Sequence, residues 1–150
     1  MKDRKIDTFV YEGFGFPILL ENVPMRKRLG EWTFDIDLEA LEKTVLFALI
    51  EKQIPLSGNQ IRFIRHFLNM STYEFADILG VTHAAVLHWE KGEKKMNVGN
   101  QIVLRLYVLN HLKVTDKEFR KIYQRLNPKR ISKARFEKSP LEIDIEKIAC

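Results

Sequence analysis

His83 and His88 stand five residues apart in the run Thr82-His83-Ala84-Ala85-Val86-Leu87-His88, and Lys94 and Lys95 follow shortly after. On one helix, both imidazoles could donate or accept at a base edge. Ala84 and Ala85 are small enough to let a backbone approach and can touch a thymine methyl. Lys94, Lys95 and the amides near Asn97 could hold phosphates, or the two lysines could simply be solvated. Zinc would need further ligands at suitable spacing, and the neighbouring sequence supplies none. Catalytic signatures are missing too. There is no glycine-rich phosphate loop and no Ser–His–Asp arrangement with local context. Gly13-Phe14-Gly15 is too short for a dinucleotide fingerprint, and Asp35, Asp37, Glu39 and Glu42 read as a helix start and its solvated face. No enzyme activity, cofactor or metal is expected.

The elements that must position this run are legible around it. Ser71 with Glu74 three residues on is a capping box, and Met70 with Phe75 a hydrophobic staple, so a helix should start at Thr72. Phe75, Ala76 and Leu79 share one face, and Gly80 can end the helix in the left-handed conformation. Thr82 can cap a second helix that Gly92 closes, with Val86 and Trp89 turned back to the same core. Two short helices, a tight turn with a glycine and a shared apolar seam describe a helix-turn-helix.

Phe75-Ala76, Leu79-Gly80-Val81-Thr82, Val86 and Trp89-Glu90-Lys91-Gly92 resemble the lambda-repressor-like (Xre) family of DNA-binding domains, over roughly residues 56–126. The resemblance implies that the second helix lies in a major groove. It implies DNA contacts from Ser71 and Thr72, from Thr82, His83, Ala84, Ala85 and His88, and from Lys91, Lys94 and Lys95. It also implies that Arg65 of the preceding helix pairs with Glu90, although Arg65 could instead touch a phosphate. The layout is also similar to antitoxins of toxin–antitoxin operons. Some relatives carry a zinc unit before this domain, but the cysteines it needs are absent here.

Charge and composition agree with a polyanion partner. The chain has 150 residues and a net charge of +5. Residues 1–57 are net −2, residues 58–126 net +5 and residues 127–150 net +2. The single cysteine, Cys150, leaves no internal disulfide and suits a reducing cytoplasm. No run of about 18 apolar residues predicts a membrane span, and the N-terminal residues lack a secretory h-region.

Around the central motif, Thr8–Tyr11, Phe16–Val23 and Trp32–Ile36 read as strands, punctuated by Gly13, Gly15, Pro17, Pro24 and Gly30. Met25-Arg26-Lys27-Arg28-Leu29-Gly30 is a basic turn, either a partner-touching loop or a solvated hairpin tip. Asp37 can cap a helix carrying Leu38, Leu41, Val45, Leu46 and Leu49, which Ile54-Pro55 ends. Ser57 with Gln60, and Thr115 with Glu118, are further capping boxes. A helix from about Asn100 to Leu112 lies between them, and Asn127-Pro128 ends the series. Lys129, Arg130, Lys133, Arg135 and Lys138, interleaved with Ile131 and Phe136, form either a basic arm or a mobile terminus. Leu141, Ile143 and Ile145 alternate with acids, a strand pattern that should join the N-terminal sheet of its own chain or of a second copy.

The expected fold is mainly α: a five-helix lambda-repressor-like helix-turn-helix domain over 56–126, a small α+β N-terminal unit over 1–55 for dimerisation or partner binding, and a basic tail over 127–150. The expected function is a sequence-specific transcriptional regulator, most simply a repressor, acting on double-stranded DNA as a homodimer in the cytoplasm and on the nucleoid. The alternative is an antitoxin that neutralises a toxin protein and represses its own operon.

Overall fold

A computed structural model describes residues 3–135 and 139–148. The chain divides into two units, one from residues 1–47 with 138–150 and one from residues 48–137.

The first unit is built on a mixed sheet. Its central strand is β2 (Ile18–Arg28), which pairs antiparallel with β1 (Arg4–Tyr11) along one side. On its other side β2 pairs antiparallel with β3 (Glu31–Phe34) and parallel with β4 (Leu141–Asp144). β2 runs past Pro24, where the sequence suggested that it stops. The Pro24 carbonyl accepts from the Asp35 amide at 2.7 Å, so its nitrogen points to the same side of the strand. There β2 lies between its pairings with β4 and β3, and the missing N–H costs no ladder bond. Leu29 and Gly30 form the β2–β3 turn with φ of 50° and 83°, the sign pattern of a type I′ hairpin. β4 ends at Asp144, which accepts from the Asn22 side-chain amide at 2.9 Å and caps a short 3₁₀ turn (Ile145–Lys147), so Ile145 leaves the strand. Ile18, Leu20 and Val23 of β2, Leu141 and Ile143 of β4, and Leu41, Val45 and Leu46 of helix α1 (Leu38–Glu51) are buried.

The second unit is helical: α2 (Gly58–Phe67), α3 (Thr72–Leu79), α4 (His83–Glu90), α5 (Val98–His111), α6 (Asp116–Arg125) and α7 (Pro128–Lys133). Ser57, Ser71, Thr82 and Thr115 cap α2, α3, α4 and α6 through their hydroxyls. Asn97 caps α5 and starts it two residues earlier than Asn100. Pro128 both ends the preceding segment and occupies the first turn of α7, where no amide donor is needed. Ile61, Ile64, Phe75, Val86, Leu104, Val108 and Ile131 form the centre of this unit, each no more than 1% exposed. Arg105 is equally buried. It donates to the carbonyls of Gln101, Lys52 and Ile54, and burial pulls its pKa down to about 10.

These elements overturn the expected fold class. Among the described residues there are seven α-helices and a four-stranded mixed sheet drawn from both ends of the chain. The protein is not a mainly α, five-helix lambda-repressor-like domain carrying an N-terminal extension. β4 takes the first of the two places its alternating pattern allowed, beside β2 of its own chain, and makes the sheet a joint product of N- and C-terminal sequence. Phe136, Lys138 and Cys150 lie outside the described residues. No helix among the described residues is long and apolar enough to cross a membrane.

Candidate nucleic-acid interface

The α3–α4 corner is set by local bonds. Gly80 ends α3 at φ 66°, ψ 34°, a conformation cheap only without a Cβ. The Gly80 amide returns to the Asp77 carbonyl at 3.2 Å and the Val81 amide to the Ala76 carbonyl at 3.0 Å, the two bonds of a Schellman ending. Thr82 then accepts from the Ala85 amide at 3.1 Å and starts α4.

α4 has two unlike sides. Val86, Trp89 and Glu90 are buried, at 0%, 6% and 5% exposure. Ala84, His88 and Lys91 fall at i, i+4 and i+7 on the opposite side, with Ala84 and Lys91 exposed and His88 half-exposed. Thr82 is exposed at the start of the helix, and His83 and Ala85 are half-exposed. Ser71 is exposed and Thr72 half-exposed at the start of α3.

Glu90 is buried because it is paired. Arg65 of α2 grips it with two bonds, Nε to Oε2 at 2.8 Å and a terminal nitrogen to Oε1 at 2.9 Å. The other terminal nitrogen of Arg65 donates to the Met70 carbonyl at 3.0 Å, so one guanidinium ties α2, the α2–α3 turn and α4 together. Arg62 adds a third bond to Glu90 at 3.2 Å from a more exposed position. Gly58 lets the start of α2 approach this point, because a Cβ there would meet the Trp89 and Glu90 carbonyl oxygens.

The structure separates the two histidines, which look alike in sequence. His83 stacks face to face on Tyr73 of α3, with ring centroids 3.8 Å apart and planes 6° from parallel. His88 instead bonds through Nδ1 to Glu93 Oε2 at 2.6 Å. The stack brings the start of α3, with Ser71 and Thr72, beside the start of α4. Tyr73, Arg62 and Glu93 were not among the residues singled out by sequence. Tyr73 lies inside the Ser71–Glu74 capping box, where nothing in the sequence marks its partner across the corner. Glu93 lies beyond Gly92, where no helical spacing connects it to His88.

The loop after α4 is tied back to the helix. The amides of Gly92, Glu93 and Lys94 return to the carbonyls of Trp89 and His88 at 2.9–3.3 Å, so these three donors are already used. Lys91, Lys94 and Lys95 are exposed around the loop. The Asn97 side chain takes the Asn100 amide, leaving Val98 and Gly99 as first-turn donors of α5 without intrahelical acceptors. Among the described residues, no three His, Cys, Asp or Glu side chains converge as metal ligands. No protein-family model, curated protein or solved structure matches this chain.

Proposed function

We propose that the protein is a sequence-specific DNA-binding transcriptional regulator, most simply a repressor, that presents the exposed side of α4 to a major groove. One observation carries this reading: α4 is fastened from behind by Val86, Trp89 and the bidentate Arg65–Glu90 pair, while Ala84, His88 and Lys91 face outward. A helix held rigidly on one side and free of bulky apolar groups on the other suits insertion between phosphate walls. Of the two histidines, His83 is the better base reader. Its ring is oriented by Tyr73, whereas His88 must first leave Glu93.

A single module of this kind covers too little duplex for tight specific binding, roughly 600–1,000 Å². We therefore infer a homodimer, with the open edge of β1 as the place where a second copy can pair. Sedimentation of a monomer, free and on DNA, would count against the dimer.

Selection of binding sites from random duplexes at stated salt tests the function. An enriched motif is expected. His83→Ala should relax preference at one position and weaken binding there by about 1–3 kcal/mol. Lys94→Ala should lower the salt slope by roughly 1 without changing the motif. Failure to enrich any sequence refutes the proposal.

A further inference from the structure

The β2–β3 hairpin, with the start of β1 paired along β2, is a basic end of the sheet that the α4 reading leaves without a role. Register places Arg4, Arg26 and Arg28 on one face of the sheet, and Lys5 and Lys27 on the other. Arg4 lies directly opposite Arg26, a like-charge cross-strand pair that opposes folding. Lys5 pairs with Asp7 at 3.5 Å and Arg26 with Asp35 at 3.3 Å. Arg4, Lys27 and Arg28 supply the positive charge beyond those pairs, with Glu31 opposite Arg28. Trp32 packs beneath the ammonium groups of Lys5, at 4.6 Å, and Lys27, at 5.8 Å, which holds both lysine stems against the ribbon.

The tip is occupied by Leu29, fully exposed at 105% and in a left-handed backbone that suits glycine or asparagine far better. A bulky apolar side chain therefore stands where neither solvation nor backbone conformation favours it.

We propose that this hairpin is a second contact to double-stranded DNA, with Lys27, Arg28 and the adjacent Arg4 of β1 neutralising phosphates and Leu29 pressing into the groove. The inference rests on the reading of the chain as DNA-binding, but not on α4. Beyond the start of β1 the sheet narrows to the two strands of the hairpin, with Lys27 and Arg28 on opposite faces, and a two-stranded ribbon fits a groove that has a phosphate row on each side. An apolar tip between them is the arrangement by which ribbons and arms press against base steps. One leucine is too little apolar surface to anchor a membrane, and the ammonium groups over Trp32 compete with its burial in lipid.

The test is fluorescence anisotropy of the full chain with a short random-sequence duplex across a salt series. Three variants are compared with the wild type: Arg4→Ala/Lys27→Ala/Arg28→Ala, Leu29→Asn, and Lys91→Ala/Lys94→Ala. The hairpin triple variant is expected to reduce the slope of log affinity against log salt by about 2–3, at roughly 0.9 per phosphate. Leu29→Asn is expected to raise the melting temperature, because asparagine tolerates the turn, and yet to weaken duplex binding. A slope unchanged in the triple variant, with binding still weakened by Lys91→Ala/Lys94→Ala, overturns the hairpin proposal and leaves the α4 reading standing. The reverse pattern supports the hairpin and refutes α4. Loss of binding to phosphatidylserine vesicles in the triple variant, with duplex affinity retained, overturns the proposal in favour of a lipid surface. A wild-type chain that binds no duplex overturns both readings.

Discussion

Replacing Glu90 by alanine should unfold the second unit more readily, by an amount the geometry bounds. The Glu90 side chain is 3% exposed and that of Arg65 13%, so neither charge can be hydrated in place once its partner is gone. Deleting one partner of such a pair costs about 3–5 kcal/mol. Two features place Glu90→Ala near the lower end. Arg65 keeps its bond to the Met70 carbonyl, and Arg62, half-exposed, can turn to solvent. A loss of about 3 kcal/mol corresponds to a fall of roughly 12–24 °C in melting temperature for a unit of this size. Urea unfolding followed by far-ultraviolet circular dichroism, with thermal melts alongside, measures both quantities. The companion variant Arg65→Met/Glu90→Leu removes both charges. It should recover most of the loss, because the penalty in Glu90→Ala comes from the stranded guanidinium. A Glu90→Ala midpoint within about 0.5 kcal/mol of wild type, the range of an ordinary surface substitution, would refute the argument. A double variant no more stable than the single one would do the same.

Gly80→Ala meets open space, so its cost is backbone strain alone, about 1–2 kcal/mol. Gly58→Ala drives a methyl into backbone oxygens of α4 and should cost more, which urea midpoints of the two variants compare directly. Asp144→Ala tests the clasp between β4 and β2. The Asn22 amide, the largest influence, holds the Asp144 carboxyl below its ordinary range. Its stabilisation is therefore present above about pH 4 and lost as pH falls through the lower folded value. The gap in melting temperature between wild type and Asp144→Ala should accordingly be constant near neutrality and close in acid. Arg105→Met removes a buried cation but leaves the Lys52 and Ile54 carbonyls without their donor, and should cost about 1–3 kcal/mol in equilibrium unfolding.

The sequence alone determined the local frame of the candidate interface. Ser57, Ser71, Thr82 and Thr115 announce helix starts because a cap bonds an amide only three residues away. Gly80 announces a turn because its left-handed backbone is a property of one residue. Val86 and Trp89 betray the inward side of α4 through helical spacing alone. Tertiary structure decided everything that joins distant residues. The alternation of Leu141–Asp144 pointed to the N-terminal sheet, but it fits an edge of its own chain or of a second copy equally well, and only the folded chain decides for its own β2, in parallel register, with Asn22 bonded to Asp144. Nothing in the order of residues marks Arg105 as buried, because its burial depends on carbonyls of Lys52 and Ile54 that approach from another segment. The same holds for the two histidines. Their spacing is identical information in sequence, but Tyr73 reaches one across a helix corner and Glu93 reaches the other around a loop. Short-range bonding leaves a pattern in the order of residues, whereas the choice among many compatible long-range partners is made only by the packing of the whole chain.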